Sequence, residues 1–282
     1  MKKLTLLINC KDQHGIIAAT TNFISNNGAN IIYVDQHVDR QQEVFFMRIE
    51  FEFKTILKDD FSKNFENSIA NNFQMNWKLF DFQKPLNMGL FVSKYDHCIY
   101  DILGRYKSGE FNINIPFIIS NHKDLKPIAD NFGINFYYVP VDKDNRNLST
   151  KRHIELLKNY KIDFIVLARY MQIIPNEIID IYPSKIINIH HSFLPAFIGA
   201  KPYHSAFKRG VKIIGATSHY ITSELDQGPI IEQDVVRVSH VNSIKDLISK
   251  GRDLEKIVLS KAIKYHIDQK VMVFNNKTVI FN

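Results

Sequence analysis

Apolar and polar positions alternate along the first eighty residues in a way that changes period four times. Leu4–Asn9 is an apolar run of strand length. His14–Asn26 carries Ile16, Ile17, Ala19, Phe23 and Ile24 at helical spacing, and Gly28 supplies a helix stop. Asn30–Val38 and Glu43–Phe53 read as strands around the polar turn Asp39-Arg40-Gln41-Gln42. Asp59–Asn71 is a second helix, with Asp59 and Asp60 near its N-terminus, where negative charge is favoured. Trp77–Phe82 closes the set. The order βαββαβ predicts a ferredoxin-like unit over residues 1–82.

Gln83-Lys84-Pro85-Leu86 reads as a linker, taken as residues 83–87. From residue 88 to 282 strands alternate with helices. The predicted strands are Met88–Val92, Asn114–Ser120, Phe136–Val139, Phe164–Leu167 and Ile186–Ile189. Between them fall helices Cys98–Tyr106, Leu125–Asn131, Leu148–Tyr160 and Asn176–Ile181. This alternation predicts a Rossmann-like, mostly parallel sheet with helices on both faces. Val211–Ile221 and Ile230–Val238 follow as strands antiparallel to some neighbours. A long helix, Ser243–His266, and a short hairpin, Val271–Phe274 with Thr278–Phe281, complete the chain.

Composition narrows the class. The 282 residues are 45% apolar, as expected of a globular α/β protein, and long enough for two domains. The net charge of +7 comes from scattered lysines and arginines, not dense clusters. It argues less for nucleic acid than for a modest field that favours an anionic substrate. Cys10 and Cys98 lie far apart, form no metal or redox spacing and fit a reducing cytoplasm. No run approaches the ~20 apolar residues of a membrane span. The short apolar run before Lys11-Asp12 is not expected to be a secretory leader.

The chemistry concentrates late. Asn188 and His190 follow the apolar Ile186-Ile187, and side chains at i and i+2 of a strand share a face. Asp226 sits in a polar turn before Gly228-Pro229, which is suited to fixing that turn. An amide that polarises a carbonyl, beside a His–Asp pair that moves protons, suits acyl transfer or acyl hydrolysis. The three residue types alone do not decide this, because a strand histidine is commonly structural. His191 faces the other way if the strand continues past His190, so a structural and a catalytic role both stay open. Arg169-Tyr170-Met171-Gln172 follows another buried strand. Ligands of open α/β sheets bind at such carboxyl ends.

Three longer strings carry a resemblance: Ile187-Asn-Ile-His-His-Ser-Phe-Leu-Pro-Ala-Phe197, Gly215-Ala-Thr-Ser-His-Tyr220 and Asp226-Gln-Gly-Pro-Ile-Ile231. Together they resemble the folate-dependent formyltransferase family, and within it the hydrolytic branch, over essentially the whole chain. The resemblance implies Asn188, His190 and Asp226 as the catalytic trio. It implies a pterin-side loop at Arg169, Tyr170, Met171 and Gln172, with His191 and Gly228 close to the substrate. Lys201-Pro202-Tyr203-His204 resembles the loop beyond the catalytic strand, and Leu194-Pro195 is a candidate cis peptide. The first unit, with Cys10–Ile16 at its first strand–helix loop, resembles an ACT domain. Asp12, His14 and Gly15 are its candidate ligand residues, and glycine or methionine the candidate effector. A purely structural or dimerising role is the alternative.

One departure bears on the reaction. Members that act on glycinamide ribonucleotide place a glycine-rich phosphate loop after the first strand, whereas Ser93-Lys94-Tyr95-Asp96-His97-Cys98 has no glycine. The implied reaction is therefore hydrolysis of 10-formyltetrahydrofolate to formate and tetrahydrofolate, the formate feeding purine biosynthesis. No bound cofactor or metal is expected, since the folate is the substrate. A cytoplasmic homo-oligomer, dimer or tetramer, is expected, without nucleic-acid or membrane partners. The rivals are formyl transfer to an amine acceptor and a binding sensor built on a retired enzyme domain.

Overall fold

A computed structural model describes residues 2–53, 58–81, 84–142, 144–196 and 202–281. The chain divides into two compact units. One is Met1–Lys84 with Asp268–Phe274 and Val279–Asn282; the other is Pro85–Ile267 with Asn275–Thr278.

The first unit has the predicted element order, β1 (Lys2–Lys11), α1 (Ile16–Asn26), β2 (Asn30–Asp39), β3 (Val44–Phe53), α2 (Lys58–Phe65) and β4 (Asn76–Asp81). Its sheet runs β2-β3-β1-β4, every pair antiparallel. Leu4, Leu6 and Ile8 lie opposite Phe51, Ile49 and Met47, and this face is buried with Ile16, Ile24, Phe61 and Phe65 of the helices. Helix α1 starts two residues later than expected because Gly15 takes a left-handed φ of 91° at its N-cap. The second predicted helix does not run straight to Asn71. It passes into one π turn, Glu66–Ala70, where the Asn71 amide donates to the Glu66 carbonyl.

The tail departs from the expectation that residues 88–282 form one domain. The second face of β1 and β3 carries the apolar side chains Leu7, Val44 and Phe46 among polar ones, and these need a cover. Leu7 and Phe46 pack there with Met272, Phe274, Val279 and Phe281. Buried Arg48 donates to the carbonyl oxygens of Asp268 and Gln269, at 3.0 and 2.9 Å, and pairs with Glu50. The hairpin of β12 (Val271–Phe274) and β13 (Lys277–Ile280) therefore belongs to the first unit, apart from Asn275–Thr278 around its turn. The predicted junction at residues 82 and 83 lies outside the described residues.

The second unit strings together β5 (Leu86–Val92), α3 (His97–Lys107), β6 (Ile113–Ser120), α4 (Lys126–Asn131), β7 (Asn135–Tyr138) and α5 (Arg146–Asn159). It continues through β8 (Phe164–Ala168), α6 (Asn176–Ile181), β9 (Ile186–His190), α7 (Pro202–Arg209), β10 (Ile213–Tyr220), β11 (Ile230–Arg237) and α8 (Ile244–Ile267). The sheet order is β11-β10-β9-β8-β5-β6-β7. Strands β5 to β9 are mutually parallel, β10 is antiparallel to β9, and β11 to β10. The chain winds outward from β5 through β7, then resumes at β8 on the other side of β5. That reversal makes a crevice at the carboxyl ends of β5 and β8. Helix α7 was expected to be a loop. It forms because Tyr203 and Ala206, one turn apart, bury against Ile214 and Leu247. Lys201, the first residue of that expected loop, lies outside the described residues. No helix among the described residues is long and apolar enough to cross a membrane.

Candidate active site

Strand β9 presents Asn188 and His190 on one face, as the i, i+2 spacing requires. The strand ends at His190, so His191 is released from the alternation. It lines the same cavity, its ring 5.2 Å from that of His190. On β10, His219 is the direct cross-strand partner of Asn188. Beyond Tyr220 the chain folds back over this face and delivers Asp226, whose φ is 58°.

Gly228 fixes that return. A Cβ there would lie 1.8 Å from the Tyr220 carbonyl oxygen, so only glycine allows the loop to cross so close to the strand. The Tyr220 amide donates to the Pro229 carbonyl at 2.9 Å just beyond it. Gly228 was expected at the substrate. It is absent from the cavity lining and instead supports the turn carrying Asp226.

Asp226 Oδ1 is 3.2 Å from His190 Nδ1 and 3.6 Å from His219 Nε2. The hydrogen bond from His190 holds its carboxyl well below the usual carboxylate range. An ionised carboxylate at Nδ1 fixes the His190 proton there and leaves the lone pair on Nε2. That Nε2 is buried and has no partner among the described residues. His219 Nδ1 donates to the Tyr220 carbonyl at 2.9 Å, so its Nε2 accepts from the Asn188 Nδ2 amide at 3.2 Å. An amide nitrogen has two hydrogens. His219 takes one and orients the other.

The cavity, about 360 Å³, is lined by Arg169–Ile174, by Asn188–His191 and by Ile221–Asp226. All four residues of the predicted loop reach it: Arg169, Tyr170, Met171 and Gln172. Ser93, at the end of β5, receives the Met171 amide on its Oγ at 3.0 Å and donates to Asn121 at 2.6 Å. The loop is thus pinned to the neighbouring strand end. Met171, Ile173 and Leu225 are exposed apolar residues along the cavity wall, suited to the faces of a flat ring. The peptide Leu194-Pro195 is cis. Thr217 Oγ1 anchors this segment, accepting from the Leu194 amide at 3.0 Å and donating to the Ser192 carbonyl at 2.9 Å.

Behind Arg169 lies a cluster that the sequence did not reveal. Glu255, in the middle of α8, is 1% exposed. It accepts from Tyr203 Oη at 2.6 Å and pairs with His97 Nε2 at 2.7 Å. Arg169 Nε lies 3.4 Å away, a charge contact without hydrogen-bond geometry. Burial pushes the Glu255 carboxyl up, but His97, Arg169 and Tyr203 together hold it below its ordinary value. His97, Cys98 and Glu255 have donor atoms within 4.8 Å of one another. Burial, then Glu255, push the Cys98 thiol well up, and the carboxylate is already engaged by His97 and Tyr203, so this trio is a hydrogen-bonded cluster in character. Burial, then the charge of Arg169, lower His191 to about 4, so it is neutral at pH 7.

The residues Asp12, His14 and Gly15 form the β1–α1 loop of the first unit, with Asp12 and His14 exposed. The Asp12 amide donates to the Glu43 carbonyl at 2.7 Å.

Comparison with known proteins agrees with both units. A formyl transferase family model matches residues 86–263, and an ACT domain model residues 4–59. A formyltetrahydrofolate deformylase of Synechocystis sp. is 50% identical over 279 residues, 98% of each chain. The crystal structure of a formyltetrahydrofolate deformylase from Pseudomonas syringae pv. tomato superposes with a TM-score of 0.97 at 43% identity, covering 100% of this chain and 95% of that one. A glycinamide ribonucleotide transformylase from Symbiobacterium toebii shares the fold over 73% of this chain and 98% of its own, with a TM-score of 0.66 at 26% identity. With relatives this similar over its whole length, and an ACT domain preceding the formyl transferase domain, the chain belongs to the formyltetrahydrofolate deformylase family.

Proposed function

We propose that this protein hydrolyses 10-formyltetrahydrofolate to formate and tetrahydrofolate, with Asn188, His190 and Asp226 as the catalytic trio. The observation that supports it most is the bare, buried Nε2 of His190, set by Asp226 and standing beside the Asn188 amide at the end of the cavity. The pterin enters between the 169–174 loop and the 221–226 loop. The formyl group then reaches Asn188 and His190.

The steps follow from those atoms. A water oxygen attacks the formyl carbon while His190 Nε2 takes one of its protons. The carbonyl oxygen becomes negative and receives the free N–H of Asn188 Nδ2, an oxyanion contact worth about 3 kcal/mol. The imidazolium is held by the Asp226 carboxylate and returns its proton to N10 as the carbon–nitrogen bond breaks. Formate and tetrahydrofolate leave. His191, neutral and next to the pair, adds no charge that would oppose the imidazolium. No bound cofactor or metal enters these steps. The test is formate release from 10-formyltetrahydrofolate with no amine present. Formate that appears only when an amine acceptor is added overturns the proposal.

In a cell, the formate would serve a formate-dependent step of purine biosynthesis in the cytoplasm. The ACT unit, residues 1–82 in the sequence reading, would sense an amino acid, glycine or methionine first, within a homodimer or homotetramer. Gly15 opens the backbone at the start of α1, where a ligand carboxylate is favoured. Activity of the full chain titrated with each amino acid, together with its mass in solution, checks both expectations. Rates unmoved by either amino acid leave the unit an assembly domain.

A further inference from the structure

We propose that the polar cluster around Glu255 is a stopper that closes the catalytic centre to amine acceptors and reserves the formyl carbon for water. The proposal rests on the hydrolytic reading above and adds a specificity determinant to it.

Water and an amine acceptor differ first in bulk. With the folate filling the cavity, an amine must reach the formyl carbon through a second opening beside Asn188 and His190. Arg169 and His191 both line the cavity. Directly behind them stand Tyr203, Glu255 and His97, none of which lines the cavity. The His191 and Tyr203 ring centroids are 6.1 Å apart. Tyr203 and His97 both bond Glu255, at 2.6 and 2.7 Å, and Arg169 stands 3.4 Å from the same carboxylate. The outer layer is the ring of Tyr95, with the guanidinium carbons of Arg169 and Arg252 at 4.8 and 5.8 Å from its centroid. Tyr95 and His97 belong to the glycine-free segment that follows β5.

Its chemistry makes this wall hard to displace. An apolar side chain could swing aside for a substrate at modest cost. A buried carboxylate shared among an imidazole, a guanidinium and a phenol cannot, because parting any pair strands a charge out of water. Water needs no opening of that size.

The test uses the full-length protein with 10-formyltetrahydrofolate and glycinamide as a competing nucleophile. In transfer, the glycinamide nitrogen forms a bond to the formyl carbon and loses a proton. The bond from carbon to N10 breaks and N10 gains one. The readout is the ratio of N-formylglycinamide to formate. The wild-type protein should give formate alone. Tyr95→Ala and His97→Ala thin the wall without touching the trio, and the ratio should rise at least about tenfold in each. His97→Gln retains a donor toward Glu255 and should keep the wild-type ratio. Wild-type ratios in both alanine variants, with hydrolysis intact, overturn the proposal, as does ready transfer to glycinamide by the wild type. If His97→Ala does not fold, Tyr95→Ala decides alone, because Tyr95 is 41% exposed. A wild-type protein that releases no formate without amine would instead overturn the hydrolytic reading itself.

Discussion

Replacing Asp226 by asparagine keeps the size of the side chain and removes its charge. Two consequences follow from the 3.2 Å contact with His190 Nδ1. The carboxamide can present its NH₂ to Nδ1, which moves the imidazole proton to Nε2 and removes the base. The imidazolium formed during the reaction also loses its counter-charge. At 3.2 Å and an effective dielectric constant of about 20, that attraction is about 5 kcal/mol. Solvent at the carboxylate, 12% exposed, reduces it, and roughly 3 kcal/mol remains. Turnover should therefore fall on the order of 10²-fold or more. The asparagine would keep the volume of the side chain in the cavity wall, so affinity for a non-reactive folate analogue should stay close to wild type. The assay is formate release at saturating substrate, paired with calorimetric titration of the analogue. The double variant His190→Ala/Asp226→Asn should be little worse than His190→Ala, since the carboxylate acts through the imidazole. Near-wild-type turnover in Asp226→Asn, or full additivity in the double variant, would refute the reasoning.

Four further outcomes are expected. Asn188→Ala should lose on the order of 10²-fold in kcat through the missing oxyanion donor, with KM nearly unchanged, and an equal loss in affinity would make it a binding residue instead. Met171→Trp should weaken binding of a folate analogue more than it slows a single turnover; unaltered affinity would place the pterin elsewhere. Gly228→Ala must move its loop off the Tyr220 carbonyl, and a shift of ~1 Å at Asp226 should cost about 10² in kcat, measurable by steady-state kinetics. Stability to urea should fall on acidification. Burial lowers His153, His191 and His266 from 6.5 to about 4. The unfolded chain then binds more protons between those values, and each histidine contributes a slope of up to about 1.4 kcal/mol per pH unit. Asp226, whose carboxyl is also lowered, adds a loss of the same sign at still lower pH. A urea midpoint that does not move between pH 7 and pH 4.5 would contradict this.

Local patterns in the chain expose some of this site and hide the rest. Asn188 and His190 were legible because strand alternation is a two-residue rule, and Asp226 because Gly228-Pro229 marks a turn. His219 belongs to the site through the register of β9 against β10, which no local pattern reports. Glu255 looks like any charge on a long amphipathic helix; its neighbour Asp253 is exposed, and only the packing of α3 and α7 separates the two. Ser93 acts by holding the backbone of a residue 78 positions away. Helix α7 was missed because its apolar positions, Tyr203 and Ala206, span a single turn. The tail hairpin was recognised, but what it covers depends on the second face of β1 and β3, which a strand reading assigned to no partner.

That tail makes the first unit discontinuous in sequence. Its sheet acquires Phe274 and Phe281 against Phe46 and Leu7 only after residues 268–281 have been synthesised. During translation the nascent N-terminal segment must therefore wait, with one apolar face uncovered, while the whole formyl transferase unit is made. The same geometry decides how the molecule can be cut. A fragment ending at residue 84 would keep its helices but expose that face, and should be prone to association. A useful isolated regulatory domain would need the terminal ribbon grafted back through a short linker.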